Sequence, residues 1–366
     1  MSGSITGKNF SIATWGESHG KALGVVIDGC PAGIPLSEED IQKDLDRRKP
    51  GRSPFSSPRK EDDRIGILSG VFEGRTTGTP ISLILYNTNQ RSHDYSGIAE
   101  VYRPGHADYT YDRKYGFRDI RGGGRSSGRE TAARVAAGAV ARRILSELGV
   151  DVFAYTLSIG DVEISRDRFD RKERDRNFLA MPDKEAAARA EELLHERKNA
   201  EDSAGGVVEC VVEGLLAGVG EPVFEKLDAA LGKAILSIGA VKGFEIGSGF
   251  SASKLPGSVN NDGFRYHRDG TLEKLSNHAG GITGGISDGF PIIFQAAFKP
   301  TPSIHAPQQT VNRQGENVEV RIEGRHDPVI VPRAVIVVEA MTAITLVDYL
   351  FQRILSRMDL IRKALL

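Results

Sequence analysis

Two stretches of this chain concentrate fixed positive charge. Residues 47–60, RRKPGRSPFSSPRK, carry six Lys/Arg and no acid, and residues 101–143 carry ten Lys/Arg against four acids. Within the second lies Arg121-Gly-Gly-Gly-Arg125-Ser126-Ser127-Gly-Arg129, at the start of a predicted helix. Arginine makes bidentate contacts with carboxylates and phosphates and keeps its charge when desolvated. A helix start adds free amides and the positive end of the dipole. The chemistry this predicts is the binding of a phosphate or polycarboxylate. The plainer reading is a solvated basic face paired locally with Asp112, Asp119 and Glu130; the coincidence of Gly, Ser and Arg at a helix start favours the anion site.

Five histidines stand in loop-like sequence beside glycine or an acid: His19, His106, His278, His305 and His326. An imidazole so placed is a proton donor near neutral pH, although any one alone reads as structural. His93, His195 and His267 have no such context. Gly16-Glu-Ser-His-Gly20 matches the bare pattern of a serine-hydrolase elbow. Neither a continuous strand before it nor a strong helix after it is expected, so that chemistry is set aside. Phosphate-loop and dinucleotide glycine motifs are absent, and no Cys/His spacing suits zinc. Cys30 and Cys210 sit in apolar runs and read as buried, reduced thiols.

These groups must be positioned by a mixed set of elements. Ser127-Gly-Arg-Glu130 reads as a capping box opening a helix that Gly149 stops, and Ser37-Glu-Glu-Asp40 opens another that Pro50 ends. Helices are predicted over 183–198, 222–237 and 333–357, and strands over 25–28, 65–68, 81–86, 207–213, 292–298 and 318–322. Residues 161–202, with 13 acids and 10 bases, read as a solvated helical excursion without chemistry. One echo stands out. Gly29-Cys-Pro-Ala-Gly-Ile34 and Gly214-Leu-Leu-Ala-Gly-Val219 each follow a strand and precede a helix, as two related α+β halves with an active site near their junction would require.

The whole chain sets bounds on this. It has 366 residues, 48 Lys+Arg and 49 Asp+Glu, a net charge of −1. That balance argues against a surface committed to nucleic acid or an anionic membrane. The longest apolar stretch, around 334–350, is broken by Glu339 and Asp348, so no membrane span is expected. The N-terminus lacks a secretion signal's basic and apolar regions, which predicts a cytoplasmic protein.

Several long segments, in order from Phe10 to about Met341, resemble the chorismate synthase family: GESHGKALGVVIDGCPAGIPL, DLDRRKPG, RPGHADYTYDRKYGFRDIRGGGRSSGRETAARVAAGA, Ile238-Gly-Ala-Val-Lys-Gly243, NHAGGITGGISDG, KPTPSI and GRHDPVIVPRAVIVVEAM. The resemblance implies anti-1,4-elimination of phosphate from 5-enolpyruvylshikimate 3-phosphate, giving chorismate at the last common step of the shikimate pathway. It implies reduced FMN, with no net redox change, and NADPH as ultimate reductant, directly or through a separate flavin reductase. It implies a single α+β domain over 1–366, helices layered between antiparallel sheets with pseudo-two-fold symmetry, assembled as a homotetramer. By resemblance, His19 assists the leaving phosphate, His106 protonates or stabilises reduced flavin, and Asp327 works beside flavin N5, which takes the C6 hydrogen. Arg48, Arg103, Ser127, Arg129 and Arg325 become substrate contacts. Arg125, Ser126, Ser127, Gly239, Ala240, Gly285, Lys299, Pro300, Thr301, Pro302, Ser303 and Arg325 become the FMN environment.

The chain departs from the family pattern at three places. Pro54 stands where Arg is frequent, with Arg52 and Arg59 as substitutes; Gly239 replaces the usual Asn; and Pro302 stands where Ser is common. A rival reading, an RNA- or phosphate-binding module built on RGGGRSSGR with Tyr109, Tyr111, Tyr115 and Phe117 for stacking, leaves GESHG, NHAGG and GRHDP unexplained. A flavin oxidoreductase is the other rival, and net oxidation or reduction of substrate would mark it.

Overall fold

The computed structural model describes residues 3–51, 55, 62–88, 100–322 and 327–366. The first half runs β1 (Ile5–Thr6), β2 (Ser11–Gly16), β3 (Ala22–Asp28), α1 (Glu38–Arg48), β4 (Ile65–Ser69), the hairpin β5–β6 (Val71–Phe72 and Arg75–Thr76), β7 (Ile81–Tyr86), α2 (Asp108–Tyr115) and α3 (Thr131–Glu147). The second half runs β8 (Asp151–Ile159), β9 (Val162–Glu163), α4 (Lys184–Asn199), β10 (Gly206–Glu213), α5 (Leu227–Leu236), β11 (Val241–Ile246) and α6 (Gly257–Asn260). It continues with hairpins β12–β13 (Phe264–Tyr266 and Leu272–Lys274) and β14–β15 (Ile282–Thr283 and Ile286–Ser287), then β16 (Ile292–Phe298), β17–β18 (Gln308–Val311 and Asn317–Val320), α7 (Val331–Ile354) and α8 (Met358–Leu365).

Two antiparallel five-stranded sheets form, in the orders β1-β2-β3-β7-β4 and β11-β16-β10-β8-β9. Helices pack between them: α3 lies on β2, β3 and β7, α7 lies on β8 and β10, and α3 and α7 meet face to face. At Gly138 they come so close that a β-carbon would lie 2.2 Å from Ala340 Cβ. This is a mixed α+β fold. The residues of α7 from Ala334 to Leu350 are buried all round, and that is the pattern of a central core helix. It is long and apolar enough to cross a membrane, yet 94% of that window is inside the protein. Its two interrupting acids are fastened. Asp348 Oδ1 accepts from the amides of Lys8, Asn9 and Phe10, and Glu339 meets three arginines.

The echo in the sequence is an echo in structure. Gly33 N donates to Thr76 O at 2.8 Å and Gly218 N to Ser287 O at 2.9 Å. The Thr76 hydroxyl donates to Pro31 O and accepts from Ile34 N, and the Ser287 hydroxyl does the same with Leu216 O and Val219 N. The central order β2-β3-β7-β4 recurs as β8-β10-β16-β11.

Ser37 caps α1 in a full capping box with Asp40. The Ser127 box does not form. Short 3-10 turns over Gly124–Ser126 and Gly128–Glu130 delay α3 to Thr131, so the Ser127 hydroxyl accepts from Arg129 N and Glu130 turns to Arg134. Strands β2, β8 and β11 and helix α2 lie where none was predicted, and the 222–237 helix shortens to Leu227–Leu236. A strand therefore does precede Gly16-Glu-Ser-His-Gly20, but another strand, not a helix, follows it. In the charged 161–202 segment, Leu179 and Met181 are fully buried and Arg174 reaches Glu339 at 2.8 Å.

Candidate active site

A cleft of about 640 Å³ opens where the two halves meet, and both supply its walls in matched segments. The ends of α1 and α5 give Arg48 and Ser237–Ala240. The loops after β7 and β16 give Arg103–Ala107 and Lys299–Ser303. The entries to α3 and α7 give Gly123–Arg134 and Asp327–Arg333. Among the predicted residues, Arg48, Arg103, His106, Arg125, Ser126, Ser127, Arg129, Gly239, Ala240, Lys299, Thr301, Pro302, Ser303 and Asp327 line it.

The cationic groups are held by carboxylates behind them. Arg103 is fastened to Asp108 through Nε at 2.7 Å and Nη2 at 2.8 Å, and Arg118 shares that carboxylate. Arg48 donates to Asp63 Oδ2 at 2.6 Å, to Thr131 Oγ1 and to Gly128 O. Arg129 donates to the other Asp63 oxygen and to Asn87 Oδ1 at 3.0 Å. Burial opposes charge on Asp63, but Arg48 and Arg129 outweigh it and hold the carboxyl below its usual range. Asp63 and Asn87 carried no motif, and the sequence reading missed them; Asp108 stood in the Arg103-Pro-Gly-His-Ala-Asp108 segment, but its place behind Arg103 was not read. The unbalanced Arg47-Arg48 pair was the signal that a distant acid was needed.

His106 Nδ1 lies 2.9 Å from Pro104 O and Nε2 2.8 Å from Ser303 Oγ. Only a protonated Nδ1 can face a carbonyl, so Nε2 accepts from the Ser303 hydroxyl. Burial first, then Arg103, pushes this imidazole down to about 4. The expectation of a donor near neutral pH therefore does not describe the cleft without an anion in it. Asp327 pairs with Arg333, whose Nε also donates to Arg48 O at 3.0 Å.

His19 is buried just behind the lining. The Gly122 backbone packs on its ring so closely that a β-carbon there would lie 2.6 Å from Cδ2. The loop that carries it is tied to the cleft by Asn87, whose Nδ2 donates to Glu17 O and Gly20 O while its Oδ1 receives Arg129. Arg125 lines the cleft, but its guanidinium reaches Thr14 Oγ1 at 2.7 Å and Gly16 O at 3.0 Å. Lys299 Nζ donates to Gly105 O at 2.6 Å. Pro300 is exposed beside the lining, and Gly285 sits in the β14–β15 turn against Gly220 and Lys226, away from it. Arg325, His326, His93 and the Pro54 departure lie outside the described residues. His278 pairs with Asp262 outside the cleft, His195 stacks edge-on with Phe55, and His267 meets Glu273. Both cysteines are buried and free, and no cluster of metal ligands occurs among the described residues.

Fold and site together define an α+β protein with a basic, carboxylate-braced cleft between its two halves. The family model described as chorismate synthase matches residues 10–351. A chorismate synthase of Lachnospira eligens is 64% identical over 363 residues, covering 99% of both chains, and one of Lachnoclostridium phytofermentans is 62% identical with the same coverage. A crystal structure of chorismate synthase superposes with a TM-score of 0.75 at 32% identity, covering 95% of this chain and 94% of that one. The chain belongs to the chorismate synthase family, lyases of the shikimate pathway.

Proposed function

We propose that this protein eliminates phosphate from 5-enolpyruvylshikimate 3-phosphate to give chorismate, with reduced FMN bound in the same cleft. The observation that carries this reading is the convergence of Arg48, Arg103, Arg129, His106, Lys299 and Asp327, from both halves of the chain, on one cavity. The cleft suits a flavin nucleotide on its own terms. Thr301 Oγ1 is buried in its wall with no protein partner, a β-carbon at Gly239 would meet only open space, and Lys242 and Lys299 stand together at its edge. Arg125, Ser126, Ser127, Gly239, Ala240 and the 299–303 segment would hold the cofactor, with Arg325 closing the set. Reduced flavin, when bound, supplies an electron-rich ring beside the C–O bond that breaks.

The protein's part is positioning and charge. Arg48, Arg103 and Arg129 present guanidinium forks already fixed by Asp63 and Asp108, so an anionic substrate meets donors that need no reorganisation. By the family resemblance His19, buried behind the Gly122 backbone, would donate to the departing phosphate oxygen once that backbone gives it access. Asp327, oriented by Arg333, accepts a proton at a carboxylate oxygen. His106 holds its Nε2 toward the cleft, and an anion bound there raises its readiness to take a proton. We further infer a single domain whose halves are related by a pseudo-two-fold axis through the cleft. We also infer a cytoplasmic homotetramer, in which subunit contacts would cover exposed Phe117, Phe224 and Phe250, and flavin reduced by a separate NADPH-dependent reductase.

Anaerobic incubation with 5-enolpyruvylshikimate 3-phosphate and chemically reduced FMN tests the proposal. Equal amounts of chorismate and phosphate, and neither with oxidised FMN, are expected. Net oxidation of substrate would point to an oxidoreductase, and no product from folded, FMN-binding protein would overturn the reading.

A further inference from the structure

We propose that Asp63 is a positioning residue for the reaction, setting the spacing and net charge of the arginine pair that grips the anionic substrate. It rests on the reading of Arg48 and Arg129 as substrate contacts. Asp63 does not line the cleft, and its side chain is fully buried behind the two arginines, whose own side chains are 3% and 7% exposed. Each of its oxygens takes one guanidinium, Oδ2 that of Arg48 and Oδ1 that of Arg129. Its backbone lies in the left-handed region at φ +47°, which Asp adopts more readily than most residues other than glycine.

Physical chemistry explains the arrangement. Two adjacent guanidinium groups repel, and each alone would turn toward a separate partner. A carboxylate between them holds both forks at a fixed spacing and leaves one net positive charge. Thr131, Gly128 and Asn87 fix the remaining orientation of each fork. A phosphate or carboxylate arriving in the cleft therefore meets paired donors already in place. The residues assigned to flavin are different ones, so the effect of Asp63 falls on substrate binding and not on the cofactor.

The test uses the full chain with reduced FMN and the variants Asp63→Asn, Asp63→Glu, Arg129→Lys and Asp63→Asn/Arg129→Lys. Substrate KM, FMN Kd and melting temperature are measured for each. Asp63→Asn is expected to raise substrate KM about 30-fold, the scale for losing one member of a buried charge pair, while FMN Kd stays within about twofold. Asp63→Glu, which keeps the charge, recovers part of the loss. If Asp63→Asn folds poorly, Asp63→Glu must show the same KM rise at smaller size. The double variant is expected to be no worse than Arg129→Lys by more than about threefold, because both changes remove one unit. A raised KM in Arg129→Lys with an unchanged KM in both Asp63 variants overturns the proposal alone. Additive losses in the double variant also overturn it. An unchanged KM in Arg129→Lys removes the substrate-contact reading, and this inference with it.

Discussion

Arg47 and Arg48 are neighbours at the end of α1, yet they serve different regions. Arg48 turns to Asp63 and the cleft. Arg47 turns the other way, to the fully buried Glu339, which it surrounds together with Arg142 and Arg174, with Asp44 alongside. Both clusters are buried carboxylates ringed by arginines. In the cleft, the arginines line a cavity and the carboxylate lies behind them. In the core, Glu339 is fully buried and also accepts the amide of Ala154 at 3.0 Å, so α1, α3, α7, β8 and the 161–202 segment are joined at one point. The same chemistry braces the wall of the cleft in one region and joins five elements in the other.

The largest effect should come from breaking the core cluster. Glu339→Gln leaves three arginines with Asp44 and Asp175 as counter-charges at the rim and none at the centre, and removing one partner of a buried ion pair costs about 3–5 kcal/mol. Urea unfolding should show a loss of that size, while turnover per folded molecule stays near that of the parent. A comparable drop in turnover would mean that the two clusters are coupled.

Acid separates the regions by pH window. His106 takes a proton with difficulty when folded, at about 4 against an ordinary 6.5, so the unfolded chain binds more protons between those values. Stability therefore falls as pH is lowered from 6.5 to 4, by up to about 3 kcal/mol. Glu339 is buried, which favours its neutral form, but its arginines hold it down to about 2 against 4.5. Its contribution is present above 4.5 and is lost as pH falls toward 2. Unfolding midpoints measured across this range should show a shallower upper slope in His106→Gln and a shallower lower one in Glu339→Gln, where Asp63, Asp108 and Asp183 still contribute. An unchanged upper slope in His106→Gln would place the titrating group elsewhere.

Much of this was legible in the sequence, for identifiable reasons. The basic stretches, the glycine loops and the GESHG, RPGHAD and GRHDP segments are local, and so is the echo that marks the halves. Asp63 was not legible, because its partners are 15 and 66 positions away and nothing in Glu61-Asp-Asp-Arg64 distinguishes it from the two acids before it. Strand β8 was hidden for another reason: from Val152 to Ile159 it is buried on both faces, so it lacks the alternation that marks a strand. His106 was found but not its reluctance to take a proton, which comes from burial and from Arg103.

A single methyl group placed in each region sharpens the comparison at the next scale down. Gly122→Ala would press on His19 at 2.6 Å, and a displacement of that order is expected to lower turnover about 100-fold with little change in melting temperature. Gly138→Ala would press on Ala340 between α3 and α7, costing about 1–3 kcal/mol of stability and leaving turnover per folded molecule intact. Measuring both properties for both variants checks the division. A stability loss from Gly122→Ala equal to that from Gly138→Ala would show that the cleft loop is part of the folding core.

The smallest expected effects lie away from both charge clusters, in the repeated loops that frame them. Thr76→Val and Ser287→Ala each remove a hydroxyl that donates to one carbonyl and accepts from one amide, at 2.6 and 3.0 Å for Thr76 and at 2.8 and 2.9 Å for Ser287. Each change should cost about 1–2 kcal/mol in urea unfolding, since the buried backbone groups lose their partner. Because the bonds are matched, the two costs should be equal. Because they lie in different halves with no shared partner, they should add in the double variant. Unequal costs would mean that one half bears more of the stability than the other. Costs that fail to add would mean that the two loops are energetically coupled across the α3–α7 contact, or that the halves do not unfold in one transition.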